Sequence, residues 1–179
     1  MLIQADRSQL LIVDVQERLA PIVTDRDRTV RNVSILLRAA AAHGVPVTMS
    51  EQYPKGLGHT LPELAELGSR PALAKTAFSA LGDPELRARI LDSDRDHVIV
   101  GGIEAHVCVL QSVMDLLAEG RAVWLVADAC GSRHIDSHTL GLERMRDAGA
   151  CIVTTEMVVF EFLRSAEAPT FRDMSRLIR

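Results

Sequence analysis

Residues 97–120 read HVIVGGIEAHVCVLQSVMDLLAEG, and this stretch decides the class of fold that the sequence predicts. A short aliphatic run over 97–100 leads into two glycines, and residues 106–119 have the apolar spacing of a helix that Gly120 ends. A strand followed directly by a helix is the repeating unit of α/β proteins. The stretch therefore predicts one strand-turn-helix unit of a parallel sheet.

The same alternation continues on both sides of this unit. Predicted strands cover residues 9–13, 45–49, 72–75, 97–100, 122–127 and 151–154. Predicted helices cover residues 25–43, 106–119, 137–148, 156–163 and 170–178. Strands that are apolar along both faces are typical of a parallel sheet covered by helices on each side. We therefore expect one three-layer, doubly wound α/β domain over residues 1–179, and 3-2-1-4-5-6 is a common strand order of such a sheet.

Composition excludes several classes of protein. The chain has 179 residues, of which 47% are hydrophobic and 25% charged, and this excludes a disordered or collagen-like protein. A formal net charge of -4 and 3% aromatic residues offer neither a basic footprint nor a stacking platform for nucleic acid. We expect a small-molecule substrate and no nucleic-acid partner.

The location of the protein is predicted from its apolar runs and its cysteines. The N-terminus lacks the pattern of a signal peptide, and every apolar run is shorter than the roughly 20 residues that cross a bilayer. Cys108, Cys130 and Cys151 form neither a CxxC pair nor a zinc-type spacing. We expect no membrane association, no disulfide framework and a reducing, cytoplasmic location.

Three candidate catalytic residues fall at the carboxyl ends of predicted strands. They are Asp14, Lys75 and Cys108, after the first, third and fourth strands. Ligands of open parallel sheets bind beyond these ends, where the strand order reverses. If the order is 3-2-1-4-5-6, Asp14 and Cys108 face each other across one crevice.

Each candidate also has a purely structural interpretation. Lys75 lies within the apolar run PALAKTAFSA, where an ammonium needs a nearby anion unless it reaches solvent at the strand end. Cys108 lies where a loop becomes a helix, a position that favours a thiolate, or it is a small residue of the core. Asp14 is either a partly desolvated acid or a turn residue. Packing is the expected role of Cys130 and Cys151.

The motifs resemble those of the isochorismatase-like cysteine hydrolases. The similarity rests on LIVDVQERL, on the lysine in LAKTAFSA, on GIEAHVCVLQSVMDLL and on VADACGSR. Within this family, SEQYPKGLG, GIEAHVCV and RMRDAGA resemble the isochorismatase-domain-containing proteins most closely. The resemblance covers essentially the whole chain.

This resemblance implies a six-stranded α/β fold and an Asp-Lys-Cys triad at Asp14, Lys75 and Cys108. It also implies a cis peptide bond between Ile103 and Glu104, with the N–H groups of Glu104 and Cys108 forming an oxyanion hole. The implied reaction is hydrolysis of a small amide or related carbonyl compound through a thioester on Cys108.

The resemblance has limits, which leave the substrate open. Nicotinamidases of this family bind a metal through an Asp-x-His pair and a further histidine in the loop after the second strand. Here that loop, SEQYPKGLGHT, holds only His59, so we expect no metal and no other cofactor. True isochorismatases cleave a vinyl ether without a cysteine nucleophile, and this activity remains an alternative. The residues expected to line the substrate pocket, or else to pack, are Gln16, Leu19, Tyr53, Phe78 and His106.

Two further expectations concern the thiol and the assembly. If Cys108 is activated, iodoacetamide labels it well below pH 8, ahead of Cys130 and Cys151. The alternative to an enzyme is a non-catalytic or redox-sensing binding protein with an oxidisable Cys108. The resemblance implies a homo-oligomer in either case.

Overall fold

A six-stranded parallel sheet forms the centre of the computed structural model, which describes residues 1–178. The strands are β1 (Ser8–Val13), β2 (Val47–Gln52), β3 (Leu73–Lys75), β4 (His97–Ile103), β5 (Ala122–Gly131) and β6 (Cys151–Val153). Their order in the sheet is β3-β2-β1-β4-β5-β6, and each neighbouring pair is parallel. The predicted strand order is confirmed.

Eight α-helices are present within the described residues 1–178. They are α1 (Arg26–Ala42), α2 (Pro54–Leu57), α3 (Pro62–Ala65), α4 (Pro84–Leu91), α5 (Leu110–Ala118), α6 (Ile135–Asp147), α7 (Thr155–Leu163) and α8 (Phe171–Ile178). A π-helical turn, Ala105–Val109, joins β4 to α5.

The two faces of the sheet bury separate hydrophobic clusters. Leu10 and Ile12 of β1 contribute to one cluster, whereas Leu11 and Val13 contribute to the other, as the alternation of a strand requires. The first cluster includes residues of α1, α7 and α8, namely Val33, Leu36, Val158, Phe162 and Met174. The second includes residues of α4, α5 and α6, namely Leu86, Ile90, Val113, Leu116 and Met145. The three-layer α/β/α architecture is therefore confirmed.

The fourth and fifth strands are longer than predicted. The two glycines that suggest a turn after residue 100 belong to β4, and β5 continues to Gly131 rather than stopping at 127. Gly102 has a φ of 137°, and a Cβ added there would lie 2.1 Å from the carbonyl oxygen of Val13. Glycine thus lets β4 remain a strand while it passes very close to β1.

The second strand lies further along the chain than predicted. It begins at Val47 rather than at residue 45, because Pro46 has no N–H to donate to a ladder. It then continues through Ser50 to Gln52, past the predicted end at residue 49. This shift brings two polar side chains to the end of the sheet where the candidate residues lie.

The helices depart from the prediction in several places, and the short helices α2 and α3 form where a loop was predicted. The predicted helix over 106–119 starts as the π-helical turn, and α6 begins two residues earlier than predicted. The helix α4 was not predicted, although the Asp83 side chain accepts hydrogen bonds from the N–H groups of Glu85 and Leu86 and Pro84 occupies its first turn. These capping residues were the available signal for α4.

Candidate active site

The candidate catalytic residues lie at one edge of the sheet. Asp14 follows β1 directly, Lys75 is the last residue of β3, and Cys108 lies in the π-helical turn after β4. Strands β1 and β4 are neighbours, and β2 lies between β1 and β3. Since all the strands are parallel, their carboxyl ends meet along the edge where ligands bind in such folds.

Lys75 and Asp14 form a buried ion pair. The Nζ atom of Lys75 lies 2.7 Å from Oδ2 of Asp14, and neither side chain is exposed to solvent. Nζ also donates to Oε1 of Gln52 at 2.7 Å and to the carbonyl oxygen of Phe78 at 2.9 Å. Burying two charges is tolerated only where hydrogen bonds compensate for lost hydration, and these contacts supply that compensation.

Asp14 is fixed by β2 as well as by Lys75. Its Oδ1 atom accepts a 2.7 Å hydrogen bond from the hydroxyl of Ser50, and its N–H donates to the carbonyl oxygen of Ser50 at 3.1 Å. The backbone has a φ of 53°, a region in which aspartate is enriched among residues other than glycine. Both carboxylate oxygens of Asp14 therefore have defined partners.

Cys108 is held as a thiol in the free protein. Only 6% of the residue is exposed, and its Sγ lies 3.9 Å from Oε1 of Gln52. Burial raises the pKa of the Cys108 thiol to about 12, and the Asp14 carboxylate raises it further than Lys75 lowers it. The expectation that the start of the helix favours a thiolate is wrong for the free protein, because desolvation dominates.

Gln52 is the residue of this site that the sequence did not reveal. Its Oε1 atom faces both the Lys75 ammonium and the Cys108 thiol, while its Nε2 donates to the carbonyl oxygen of Thr76 at 2.8 Å. Ser50 and Gln52 are two residues apart on β2, so they share one face of the strand. Had the strand been extended to residue 52, this spacing would have indicated both residues.

The other two cysteines have different surroundings. Cys130 is buried on β5, and burial raises the pKa of its thiol to about 12. The prediction that it packs in the core is confirmed. Cys151 is exposed, so the same prediction is wrong for Cys151. It begins β6, an edge strand whose first residue has few neighbours to cover it.

The segment before Cys108 has an irregular backbone. The Ile103–Glu104 peptide bond is cis, at the position that the family resemblance implies. The carbonyl oxygen of Glu104 accepts hydrogen bonds from the N–H groups of Val107 at 3.1 Å and Val109 at 3.2 Å. The second of these bonds closes the wider, i to i+5 ring of a π-helix. The turn thereby holds Glu104 and Cys108 in one compact unit.

Two of the residues predicted to line the pocket are engaged in packing. Gln16 is fully buried, where its amide joins the backbones of Gln52 and Gly58 through hydrogen bonds of 2.6–3.0 Å. Leu19 packs against the hydrophobic cluster on the α1 side of the sheet, whereas Cys108 belongs to the cluster on the other side. The structure therefore assigns Gln16 and Leu19 to packing, because their side chains are already occupied.

The three other predicted pocket residues are more accessible. Tyr53 is 54% exposed and Phe78 is 53% exposed, close in sequence to Gln52 and Lys75 respectively. His106 is partly buried in the π-helical turn, and its Nδ1 lies 3.0 Å from the hydroxyl of Ser132. These side chains are available to a ligand in a way that Gln16 and Leu19 are not.

The loop histidine contacts a carboxylate of β2. Nδ1 of His59 lies 3.1 Å from Oε2 of Glu51, and Oε1 of Glu51 accepts from the N–H and the hydroxyl of Thr60. Burial raises the pKa of Glu51, but these hydrogen bonds outweigh burial and lower it overall. Across residues 1–178, no group of three or more His, Cys, Asp or Glu side chains is arranged to hold a metal ion. His59 and Glu51 thus fasten the loop to the sheet.

A cavity lies beside the site at the edge of the sheet. Its volume is about 300 Å³, and its lining includes Tyr53, Lys75, Thr76 and Asp83. A larger cavity of about 620 Å³ lies beneath the opposite ends of the strands, beside Gln9. The larger cavity is distant from the candidate triad, so size does not identify the site here.

Comparison with known proteins gives the family. The family model for the isochorismatase domain matches residues 8–157, which include β1 through the start of α7. The chain belongs to the isochorismatase family. The predicted resemblance is confirmed, and so is its subgroup, since isochorismatase domain-containing protein 2 from Pongo abelii is 40% identical over 174 residues. That alignment covers 96% of this chain and 83% of the relative.

Solved structures of the isochorismatase-like fold agree. A structure described as MAR1 ribonuclease from Caenorhabditis elegans superposes with a TM-score of 0.92 at 34% identity, covering 99% of this chain and 92% of that one. The YcaC gene product of Escherichia coli, described as an octameric hydrolase of unknown specificity, gives a TM-score of 0.90 at 23% identity. That superposition covers 99% of this chain and 95% of the YcaC chain, so the two proteins share a fold.

The lengths of the helices bear on whether the chain could cross a membrane. Among the described residues, no helix combines the length and the apolar character that a membrane span requires.

Proposed function

We propose that this protein is a cysteine hydrolase that cleaves a small amide or related carbonyl compound through a thioester on Cys108. The observation that carries the proposal is the buried Lys75–Asp14 ion pair, whose lysine shares the Gln52 side-chain oxygen with the Cys108 thiol. A nucleophile, an acid/base group and a fixed cation in mutual contact are the elements of nucleophilic catalysis. Membership of a hydrolase-like family supports the same reaction class.

The first step begins from a protonated thiol. Because the pKa of Cys108 is raised to about 12, the sulfur needs a base at the moment of attack. Asp14 takes the proton as Sγ forms a bond to the substrate carbonyl carbon, and the carbonyl π electrons move to its oxygen. Negative charge thereby moves from Asp14 to the substrate oxygen. Lys75 remains positively charged and stabilises this charge throughout the transfer.

The later steps account for both protons: the thiol proton leaves on the amine, and a proton from water passes through Asp14 to the sulfur. The N–H groups of Glu104 and Cys108 are the proposed donors to the tetrahedral oxyanion. When the intermediate collapses, the C–N bond breaks, Asp14 protonates the leaving amine, and a thioester remains. Asp14 then removes a proton from water as the water attacks the thioester, which releases the acid and regenerates the Cys108 thiol. Tyr53, Phe78 and His106 are the proposed contacts to the substrate.

A panel of small amides tests this proposal. The wild-type protein is expected to hydrolyse at least one amide, and Cys108→Ala to lose this activity by at least about 10³-fold because the nucleophile is gone. Cys130→Ala is the matched control, since Cys130 is a second buried thiol with a similarly raised pKa. Intact-mass measurement during turnover is expected to show an acyl adduct on the wild-type protein and on Cys130→Ala, but not on Cys108→Ala. Absence of turnover and of adduct across the panel would contradict the proposal.

The same experiment separates the alternatives. An isochorismatase-type vinyl-ether hydrolase keeps its activity in Cys108→Ala, because that reaction uses no cysteine nucleophile. A redox sensor shows stoichiometric oxidation of Cys108 without turnover, but sensor cysteines have low pKa values and are accessible, unlike the buried Cys108 thiol. RNA is included as a substrate because one structural relative is described as a ribonuclease. Cleavage of RNA that depends on Cys108 would contradict the proposed small carbonyl substrate.

We further propose that the protein self-associates in a reducing, cytoplasmic environment. One relative in fold is described as octameric, and Tyr53, Phe78, Ile135 and Leu140 are large exposed apolar residues that association would cover. The three cysteines form neither a CxxC pair nor a zinc-type spacing, and an odd cysteine count of this kind is typical of chains in a reducing compartment. Light scattering after size exclusion tests association, and a monomer at micromolar concentration would contradict it.

A further inference from the structure

The motif VADACGSR ends in a loop that contacts the segment before the nucleophile. Ser132 and Arg133 follow β5 directly, and Arg133 Nε lies 2.8 Å from Oε1 of Glu104. The backbone N–H of Arg133 donates to Oε2 of the same carboxylate at 3.5 Å. One arginine thus contacts both oxygens of Glu104, the residue whose N–H is the proposed oxyanion donor.

The surrounding contacts stiffen this arrangement. His106 Nδ1 lies 3.0 Å from the Ser132 hydroxyl and 3.5 Å from Oε2 of Glu104. Thr24 contacts the other side of this loop. The N–H of Thr24 donates to the carbonyl oxygen of Ser132 at 2.9 Å, and the Thr24 hydroxyl donates to the carbonyl oxygen of Arg133 at 3.1 Å. The loop therefore joins the segment before α1 to the π-helical turn.

Burial is unequal across the Arg133–Glu104 pair. The Glu104 side chain is 9% exposed, whereas the Arg133 side chain is 50% exposed. Water around the half-exposed Arg133 limits what the pair contributes to stability. The Glu104 carboxylate is buried, however, and an unpaired buried charge is unfavourable. Removing the Arg133 side chain is therefore expected to displace Glu104 and to cost some stability.

We infer that Arg133 is a positioning residue for the oxyanion hole, acting through the Glu104 carboxylate. The inference rests on the proposed function. The side chain of Glu104 is held by Arg133 while its carbonyl oxygen is held by Val107 and Val109, so the backbone at Glu104 is fixed from both directions. Oxyanion donors act only at the correct position, and losing one costs roughly 10²–10³-fold in rate.

Two reactions of Cys108 distinguish this role from a structural one. Acetaldehyde forms a thiohemiacetal: a C–S bond forms, the carbonyl electrons move to the oxygen as an oxyanion, and the thiol proton passes to Asp14, where it stays while the oxyanion is bound. Iodoacetamide alkylates the sulfur by displacing iodide, and no oxyanion develops. Loss of the oxyanion hole therefore weakens the first reaction and leaves the second unchanged.

The experiment measures both reactions in wild type, Arg133→Gln, Arg133→Lys and Arg87→Gln. Acetaldehyde labelled with carbon-13 at its carbonyl reports the adduct by NMR, and mass spectrometry at pH 9 reports alkylation of Cys108. Arg87 is the control, because its side chain is 46% exposed, about as much as that of Arg133, and it pairs with a carboxylate, Glu119, at 2.5 Å in another part of the fold. We expect Arg133→Gln to weaken adduct formation by about 10–100-fold, Arg133→Lys to recover part of it, and alkylation to stay within about twofold.

A double-mutant cycle tests whether Arg133 acts through Glu104. In a Glu104→Gln background, Arg133→Gln is expected to cause little further loss, because the two changes remove one interaction. Wild-type affinity in Arg133→Gln, an equal loss of both reactions, or additive losses in the cycle would each overturn the inference and leave the proposed function standing. A wild-type protein that alkylates at Cys108 but forms no aldehyde adduct would instead contradict the proposed oxyanion hole itself.

Discussion

At the scale of single residues, the site is organised around one buried charge pair. Lys75 and Asp14 are both excluded from solvent, and each has further polar partners. Such a pair is costly to form but far more costly to break on one side. The hydrogen bonds to Gln52 and from Ser50 offset part of the cost of burying it.

Removing one member of the pair is expected to destabilise the protein strongly. Lys75→Met leaves the Asp14 carboxylate buried without a cation, so the free energy of unfolding should fall by about 3–5 kcal/mol. The double variant Lys75→Met/Asp14→Asn removes both charges and should recover part of this loss. Urea denaturation measures both, and equal stability of the single and double variants would contradict the coupling. Neither variant is expected to turn over an amide.

Gln52 provides a second prediction at this scale. Gln52→Leu removes the acceptor shared by Lys75 and Cys108, so amide turnover should fall by about tenfold or more, with a stability loss of about 1–3 kcal/mol. Gln9→Leu is the matched control, because buried Gln9 donates to two backbone carbonyls at the opposite end of the sheet. Gln9→Leu should lose similar stability but keep its turnover. Equal effects on turnover would show that Gln52 acts only through stability.

At the scale of elements, the site depends on how closely two strands approach. β1 and β4 pair over six residues, and the last pair is Val13 with Gly102, directly before Asp14. A side chain at Gly102 would occupy the space of the Val13 backbone. The π-helical turn then leaves β4 at this point and carries Cys108 back towards Asp14. The distance between Asp14 and Cys108 therefore depends on how closely the two backbones pack, as well as on the identity of the side chains.

Gly102→Ala tests this dependence. The added Cβ meets backbone at 2.1 Å and the φ of 137° disfavours alanine, so the substitution should cost more than about 3 kcal/mol and abolish turnover. Gly120→Ala is the control, since its φ is 74° but no atom lies within 4 Å of the added Cβ. It should cost only about 1 kcal/mol and leave turnover intact. Thermal and urea unfolding measure both, and similar losses would show that backbone strain alone matters.

At the scale of the whole molecule, two buried thiols link stability to pH. The thiols of Cys108 and Cys130 have pKa values raised from 9.0 to about 12 by burial. The folded state therefore retains these protons at pH values where the unfolded chain has released them. Folding keeps its full stability below pH 9 and loses it progressively as the pH rises from 9 towards 12.

The alkaline slope of stability is the measurable consequence. Each buried thiol should contribute roughly 1 kcal/mol of lost stability per pH unit between pH 9.5 and 11.5. Cys130→Ala removes one of these contributions, so its stability should fall less steeply than that of wild type over this range. Urea titrations at several pH values provide the test. Cys151→Ala serves as the control, because Cys151 is exposed, and parallel slopes for all three proteins would contradict the linkage.

The sequence by itself determined the alternation of strands and helices and the three residues at the carboxyl ends of strands. These features are local: apolar runs, helix periodicity and the position of a polar residue directly after a strand can be read along the chain. The family resemblance followed from the same residues, and the comparisons confirm it.

Only the tertiary structure decided what surrounds those residues. Gln52 and Ser50 reach the site because β2 runs three residues past its predicted end, and Gln16 is withdrawn into packing by partners distant in sequence. The protonation of Cys108 was also beyond local inference, because desolvation depends on how many atoms from other segments enclose the sulfur. Burial and long-range hydrogen bonding are properties of the assembled fold, so they emerge only when the strands are placed side by side.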